Sequence, residues 1–226
     1  MTGVLQPRMS ILPPAQMRLW PALRPAAALG FALYGGTAIA LRLGHRQSVD
    51  FDFFSARSLD RNAMHEAFPF LARALVLQEQ PNTLSVLAPF GDDDREHVKL
   101  SFFGAIGFGR VGHPDVSADG VLQVAALDDL MATKLKVLLQ RVEAKDYRDV
   151  AAMVSAGVSL GKGLAAARQL YRPTFQPSES LKALVYFEGG DLDTLAAAEK
   201  QTLVQAVSAV RELPEVAIVS RVLTAN

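Results

Sequence analysis

A chain of 226 residues, half of them hydrophobic and a fifth charged, can bury a substantial core, which excludes a disordered polypeptide. Its 23 basic and 23 acidic side chains cancel, so no global positive field draws it to nucleic acid and any such contact must come from a local patch. Cysteine is absent, which removes disulfide frameworks and thiolate metal sites and fits a cytoplasmic protein.

The first eight residues are polar and mixed, and Ile11-Leu12-Pro13-Pro14 follows, without the cationic start and unbroken apolar stretch of a secretion signal. Residues 16–24 carry Met17, Leu19, Trp20 and Leu23 at helical spacing, interrupted by Pro21, and read as a short helix or irregular cap. The longest apolar run, 25–39, holds three glycines and a tyrosine, too short and too broken to span a bilayer, so a soluble chain with no membrane partner is expected. Residues 37–43 form a helix of about two turns stopped by Gly44. Residues 49–54 alternate polar and aromatic and read as a strand, 59–68 suits a helix with Met64 and Phe68 on one face, and 74–78, 83–87 and 97–103 are strand candidates. The stretch 104–120 holds five glycines and a proline and reads as a linker or mobile loop. Beyond it the pattern turns helical, over 127–139, 145–156, 164–171, 181–187 and 195–211. The expected organisation is an α/β core over 1–122 and a helical C-terminal region over 123–226.

Chemistry concentrates where Leu33-Tyr34-Gly35-Gly36-Thr37 precedes Asp50-Phe51-Asp52-Phe53. Two glycines at a strand-to-helix turn let backbone amides approach a phosphate, and the helix N-terminus adds its positive end. Thr37 can offer its hydroxyl or cap the helix. Successive strand side chains point to opposite faces, so Asp50 and Asp52 share one face with Cα atoms roughly 6–7 Å apart, while Phe51 and Phe53 point to the core. Two carboxylates beside a phosphate cradle can hold a hard divalent cation on triphosphate oxygens. A Gly-Gly pair alone is an ordinary turn and a lone Asp-x-Asp an ordinary solvated strand; their succession, with a helix and then a strand between, points to a site. Histidines 45, 65, 97 and 113 lack metal-ligand spacing, and nucleophile motifs, Walker loops and Rossmann fingerprints are absent. His45 beside Arg46 can touch phosphate or cap the helix end.

The segments Gly35-Gly36-Thr37-Ala38, Leu41-Arg42-Leu43-Gly44-His45-Arg46, Ser48 and Asp50-Phe51-Asp52-Phe53-Phe54 together resemble the AbiEii/AbiGii-type nucleotidyl transferases, the toxin components of abortive-infection, type IV toxin–antitoxin systems. The likeness continues through Val98-Lys99-Leu100-Ser101-Phe102-Phe103, Leu127-Asp128-Asp129-Leu130-Met131-Ala132-Thr133-Lys134, and Arg141 with Lys145-Asp146-Tyr147-Arg148-Asp149, covering roughly residues 30–155. It implies a polymerase-β-like nucleotidyltransferase core, a mixed β-sheet flanked by helices and followed by a helical half. It also implies transfer of a nucleotide from an NTP to RNA, another nucleotide or a protein side chain, Mg²⁺ or Mn²⁺ as cofactor, and an antitoxin partner. Carried over, Gly35, Gly36 and Thr37 would hold triphosphate with Arg46 near it, Asp50 and Asp52 would hold the metal, and Lys134, Lys145 and Asp146 would complete the site. Lys134 and Arg141, seven apart, share a helical face and can project toward phosphates, or be solvated charges with local partners; Asp146 and Asp149, three apart, also share a face.

One departure stands out. By this resemblance, the third carboxylate that a two-metal nucleotidyltransferase uses would fall at position 101, where the chain has Ser101. A hydroxyl is a poor metal ligand beside a carboxylate and no general base. Asp92-Asp93-Asp94 and Glu96 can substitute, or form a solvated turn. NTP binding is thus better supported than turnover, and a catalytically decayed protein of this fold that binds a nucleotide or a partner protein is the alternative, with a purely structural domain as the third reading.

Overall fold

The computed structural model describes residues 3–89 and 96–225. Two compact units share the chain: Met1–Gly109, His113–Ala125 and Ser220–Asn226 make the first, Arg110–Gly112 and Ala126–Val219 the second.

The first unit is built on an eight-stranded mixed sheet. Its elements in chain order are β1 (Val4–Leu5), a 3₁₀ turn (Met9–Ile11), α1 (Pro14–Leu19), a 3₁₀ segment (Trp20–Ala26), β2 (Ala32–Tyr34), α2 (Gly35–Leu43), β3 (Asp50–Phe54), α3 (Arg61–Ala67), a further 3₁₀ segment (Pro69–Arg73), β4 (Leu75–Gln80), β5 (Thr83–Pro89), β6 (His97–Phe103), β7 (Asp115–Ser117) and β8 (Gln123–Val124). The strand order is β1-β7-β8-β2-β3-β6-β5-β4. The pairs β1/β7, β2/β8 and β3/β6 run parallel, and the remaining neighbours antiparallel. Gly44 ends α2 as expected, in the left-handed conformation (φ +71°) that a residue with a Cβ resists. Asp60 caps α3 by accepting from the Ala63 amide at 3.0 Å.

The core of this unit is aromatic. Phe51, Phe53 and Phe102 are fully buried. Phe53 stacks on Phe102 at 5.1 Å between centroids, Phe31 meets Phe102 edge-on at 5.3 Å, and Phe68 lies 5.5 Å from Phe102. Such pairs add to the area-proportional gain of burying each ring.

The stretch 104–120 is not wholly a linker. Asp115–Ser117 is β7, hydrogen-bonded between β1 and β8. Its partners lie at residues 4–5 and 123–124, and strands of two or three residues are too short to show a period.

Arg42 fastens α2 to this edge of the sheet. Its guanidinium donates to the carbonyls of Ala125 (2.8 Å) and Val124 (2.9 Å) and to the Asp115 carboxylate (2.7 Å), with 9% of the side chain exposed. Replacement by an aliphatic group takes this donor from the buried Val124 and Ala125 backbones and leaves the partly exposed Asp115 carboxylate without its cation.

The second unit consists of five helices: α4 (Leu127–Val137), α5 (Ala144–Ser155), α6 (Leu160–Leu170), α7 (Pro177–Val185) and α8 (Ala197–Ala209). Gly163 lets α6 approach α4 closely, because a Cβ there would run into the side chain of Met131. Among the described residues no helix is long and apolar enough to cross a membrane.

Arg42→Met should lower unfolding stability by about 3 kcal/mol, measured by urea denaturation followed by circular dichroism; a loss under 0.5 kcal/mol, the scale of an ordinary surface substitution, would show that the three acceptors find other donors.

Candidate active site

Strand β3 sorts its side chains by alternation. Phe51 and Phe53 go to the core, and Asp50 and Asp52 take the opposite, partly exposed face. Register fixes what stands beside them. Asp50 pairs with Lys99 and Asp52 with Ser101 on β6, and Asp52 pairs with Tyr34 on β2. The Lys99 ammonium lies 3.7 Å from Asp50 Oδ2, both side chains roughly two-fifths exposed. Ser101 is 4% exposed, and its hydroxyl accepts a hydrogen bond from Ser85 on β5 at 3.1 Å.

The Gly35-Gly36 turn meets this row end-on. Gly35 has φ +71°, and a Cβ there would collide with the Asp52 carboxylate, whose Cγ stands 3.2 Å from the ideal position. The close approach therefore requires glycine twice over, for the dihedral and for the space. Helix α2 starts here with Tyr34 as its N-cap and no side-chain cap, so its first-turn amides are left to other acceptors.

Thr37 does not cap the helix. It lies in the first turn, 1% exposed, donating its hydroxyl to the Asp50 carbonyl and sharing a 2.7 Å hydrogen bond with Ser48. The bond ties α2 to the first residue of β3. Arg46, past the end of α2, donates to the Gln47 carbonyl at 2.9 Å.

Two oxygen donors on one face suit a hard divalent ion, with the rest of its shell supplied by phosphate oxygens and water. Among the described residues no group of three or more His, Cys, Asp or Glu could hold a metal alone, so any ion here depends on that outside supply. Glu96 forms an ion pair with Arg18, and Asp92-Asp93-Asp94 lies outside the described residues.

The second unit holds a different arrangement. Lys134 on α4 sits 2.6 Å from Asp146 Oδ1 and 2.7 Å from Asp149 Oδ2, both on α5, with the lysine side chain 6% exposed and both carboxylates fully buried. Arg141 does not share a helix face with Lys134. It stands beyond the end of α4 and reaches Asp146 from the connection, Nε to Oδ2 at 2.8 Å and Nη2 to Oδ1 at 3.1 Å. Burial alone would raise the Asp146 carboxyl, but the Arg141 hydrogen bonds and the Lys134 charge outweigh it and hold it below the ordinary value. Lys145, adjacent in sequence, falls on the exposed side of α5 and pairs with Glu143 at 2.7 Å.

Sequence reasoning passed over Asp129. This carboxylate is 1% exposed and accepts from the Val111 and Gly112 amides at 2.7 and 3.0 Å, and burial outweighs those bonds and pushes it up to about 6. The available signal was an acid in the first turn of α4 next to the buried run Leu130-Met131-Ala132.

Residues 18–217 match the model of a protein family described as nucleotidyl transferase AbiEii toxin, type IV toxin–antitoxin system. The chain belongs to this family. An uncharacterised protein of Aquifex aeolicus (strain VF5) is 30% identical over 174 residues, 74% of this chain and 80% of the relative. MenT4, a nucleotidyltransferase toxin of Mycobacterium tuberculosis H37Rv, has the same fold, with a TM-score of 0.53 and 13% identity over 88% of this chain and 92% of that one. The mixed sheet, flanking helices and helical C-terminal part are those of a nucleotidyltransferase toxin.

Two outcomes follow from the geometry. Lys134→Met leaves two buried carboxylates with one cation fewer and should cost about 3–5 kcal/mol in chemical denaturation; a variant as stable as the parent would mean that Asp146 and Asp149 become protonated or hydrated at little expense. Gly35→Ala should keep the circular dichroism spectrum but weaken Mn²⁺ binding in the presence of an NTP analogue at least tenfold, since the new methyl group displaces the Asp52 carboxylate; unchanged binding would disconnect the turn from the carboxylates.

Proposed function

We propose that this protein is a Mg²⁺- or Mn²⁺-dependent nucleotidyltransferase that moves a nucleotide from an NTP to an acceptor, as the toxin of a toxin–antitoxin pair. The observation that carries this reading is the Gly35 backbone pressed against the Asp52 carboxylate at the uncapped start of α2. A phosphate on the first-turn amides is then next to a carboxylate pair able to take a divalent ion.

In this reading the Gly35 and Gly36 amides would hold the triphosphate, and Asp50 and Asp52 would hold the divalent ion. When bound, that ion supplies Lewis-acid polarisation of the phosphoryl group. Thr37 contributes by position, keeping the first residue of β3 against α2 through the Asp50 carbonyl. The Lys134 and Asp146 pair, which the family pattern assigns to the same reaction, brings a buried cation already neutralised by Asp146 and Asp149. Family membership supports an antitoxin as partner and a nucleotide as substrate, and RNA is the acceptor to try first.

The test is incubation with each of the four α-labelled NTPs, Mg²⁺ and total RNA or cell protein, followed by electrophoresis. Label should move to an acceptor, and Asp50→Asn and Asp52→Asn should each reduce transfer at least 100-fold while keeping the fold, the size of effect expected for loss of a group that stabilises developing charge. Mn²⁺–NTP binding without transfer to any acceptor would instead establish a nucleotide-binding protein that has lost turnover.

A further inference from the structure

We propose that Phe54 and Phe103 form a wall on which the nucleobase of the NTP stacks, one rung of the sheet beyond the carboxylates. The inference rests on the metal-and-nucleotide reading above and gives the base its place.

The parallel register of β3 and β6 builds three rungs on the carboxylate face: Asp50 with Lys99, Asp52 with Ser101, and Phe54 with Phe103. Side chains two apart on a strand share a face, so Phe54 follows Asp52 on the same side, with Cα atoms roughly 6–7 Å apart. The ring contacts agree with this. Phe54 stacks on Tyr34, the residue paired with Asp52 on β2, at 4.8 Å between centroids and 10° between planes. Phe103 meets Phe54 edge-on at 5.3 Å, and Phe108 does so at 6.3 Å.

Phe51, Phe53 and Phe102 are fully buried, whereas Phe54, Phe103 and Phe108 keep part of their surface exposed. Along one face the rungs therefore pass from ionic to polar to aromatic. An NTP passes through the same order of chemistry, from its phosphates through the ribose to the base. The direction also agrees. β2 runs antiparallel to β3 and ends at Tyr34, so the Gly35-Gly36 turn leaves it on the Asp50 side of the Asp52 rung, and the aromatic rung lies on the other side. A triphosphate lodged at the turn can thus lay its nucleoside along β3 toward Phe54.

Backbone hydrogen bonds beyond the strands fix the rings. The Ser55 amide donates to the Phe103 carbonyl at 2.8 Å, the Ile106 amide to the Ser55 carbonyl at 2.9 Å, and the Ala105 amide to the Arg57 carbonyl at 2.8 Å. A wall already held in place loses little freedom when a base settles on it. Phenyl rings carry no hydrogen-bond donor or acceptor, so this wall supplies affinity through the π-face that every base has and does not itself choose among bases.

The experiment is titration calorimetry in Mn²⁺ with inorganic tripolyphosphate and with a non-hydrolysable analogue of each NTP, for the wild type, Phe54→Leu, Phe103→Leu and Phe103→Tyr. Circular dichroism monitors folding. Tripolyphosphate reads the turn and the carboxylates alone, and the analogue adds the nucleoside. The wild type should bind its best analogue at least about fivefold more tightly than tripolyphosphate, the scale of stacking one base. Each leucine variant should lose that advantage while binding tripolyphosphate as before, and Phe103→Tyr should keep it. An advantage that survives in both leucine variants would overturn the proposal, as would equal weakening of tripolyphosphate and analogue. So would a wild type that binds tripolyphosphate as tightly as every analogue, a comparison that needs no variant to fold. If the wild type binds neither tripolyphosphate nor any analogue, the metal-and-nucleotide reading itself fails, a result distinct from these.

Discussion

Phe51 and Phe53 can be buried only if Asp50 and Asp52 face the other way. Burying a phenylalanine is worth about 2–3 kcal/mol, and β3 buries two of them against Phe31, Phe102 and Trp20. A slip of one residue would expose both rings and sink both carboxylates into an apolar layer, so the register has no competitor. The same logic governs β6, where Val98, Leu100 and Phe102 face inward and leave Lys99 and Ser101 beside the acids. The composition of the carboxylate face is thus a consequence of how the core packs behind it.

The two units use charge in opposite ways. On β3 the acids stay partly exposed, and the Lys99 ammonium stands 3.7 Å from Asp50, a looser arrangement in which an incoming ion can still compete. In the helical unit Lys134, Asp146 and Asp149 are withdrawn from solvent and joined by Arg141, so each charge already has its partner. Buried sets of this kind contribute little net stability when whole and cost a great deal when broken. A functional effect in a Lys134 variant is therefore ambiguous until its folding has been measured, a confusion that is smaller at the partly exposed Asp50.

Much of this was legible in the sequence because it follows from local periodicity. The alternation of Asp50-Phe51-Asp52-Phe53 assigned faces correctly, and Gly44 marked the end of α2. Strands β1, β7 and β8 were not legible, since each has two or three residues and earns its place only by pairing across the chain. Of the two uses that the sequence leaves open for the Thr37 hydroxyl, a ligand or the helix end, the cap is not made, for a related reason. Its position in the first turn is a local fact, while its hydrogen bonds reach Ser48, eleven residues on, and the Asp50 carbonyl at the start of β3, thirteen residues on. The pairing of Lys99 with Asp50 and of Ser101 with Ser85 likewise needs the strand order and the register, which no stretch of sequence displays.

Trp20 is the only tryptophan in the 226 residues. It is 3% exposed, its ring centroid lies 6.3 Å from that of Phe51, and its indole N–H donates to Asp119 at 2.7 Å. The one strongly emitting chromophore in the chain is therefore lodged directly behind the residue that separates the two carboxylates. Its intrinsic fluorescence is a built-in optical gauge of that end of the sheet, with no second indole to dilute the signal and no label needed.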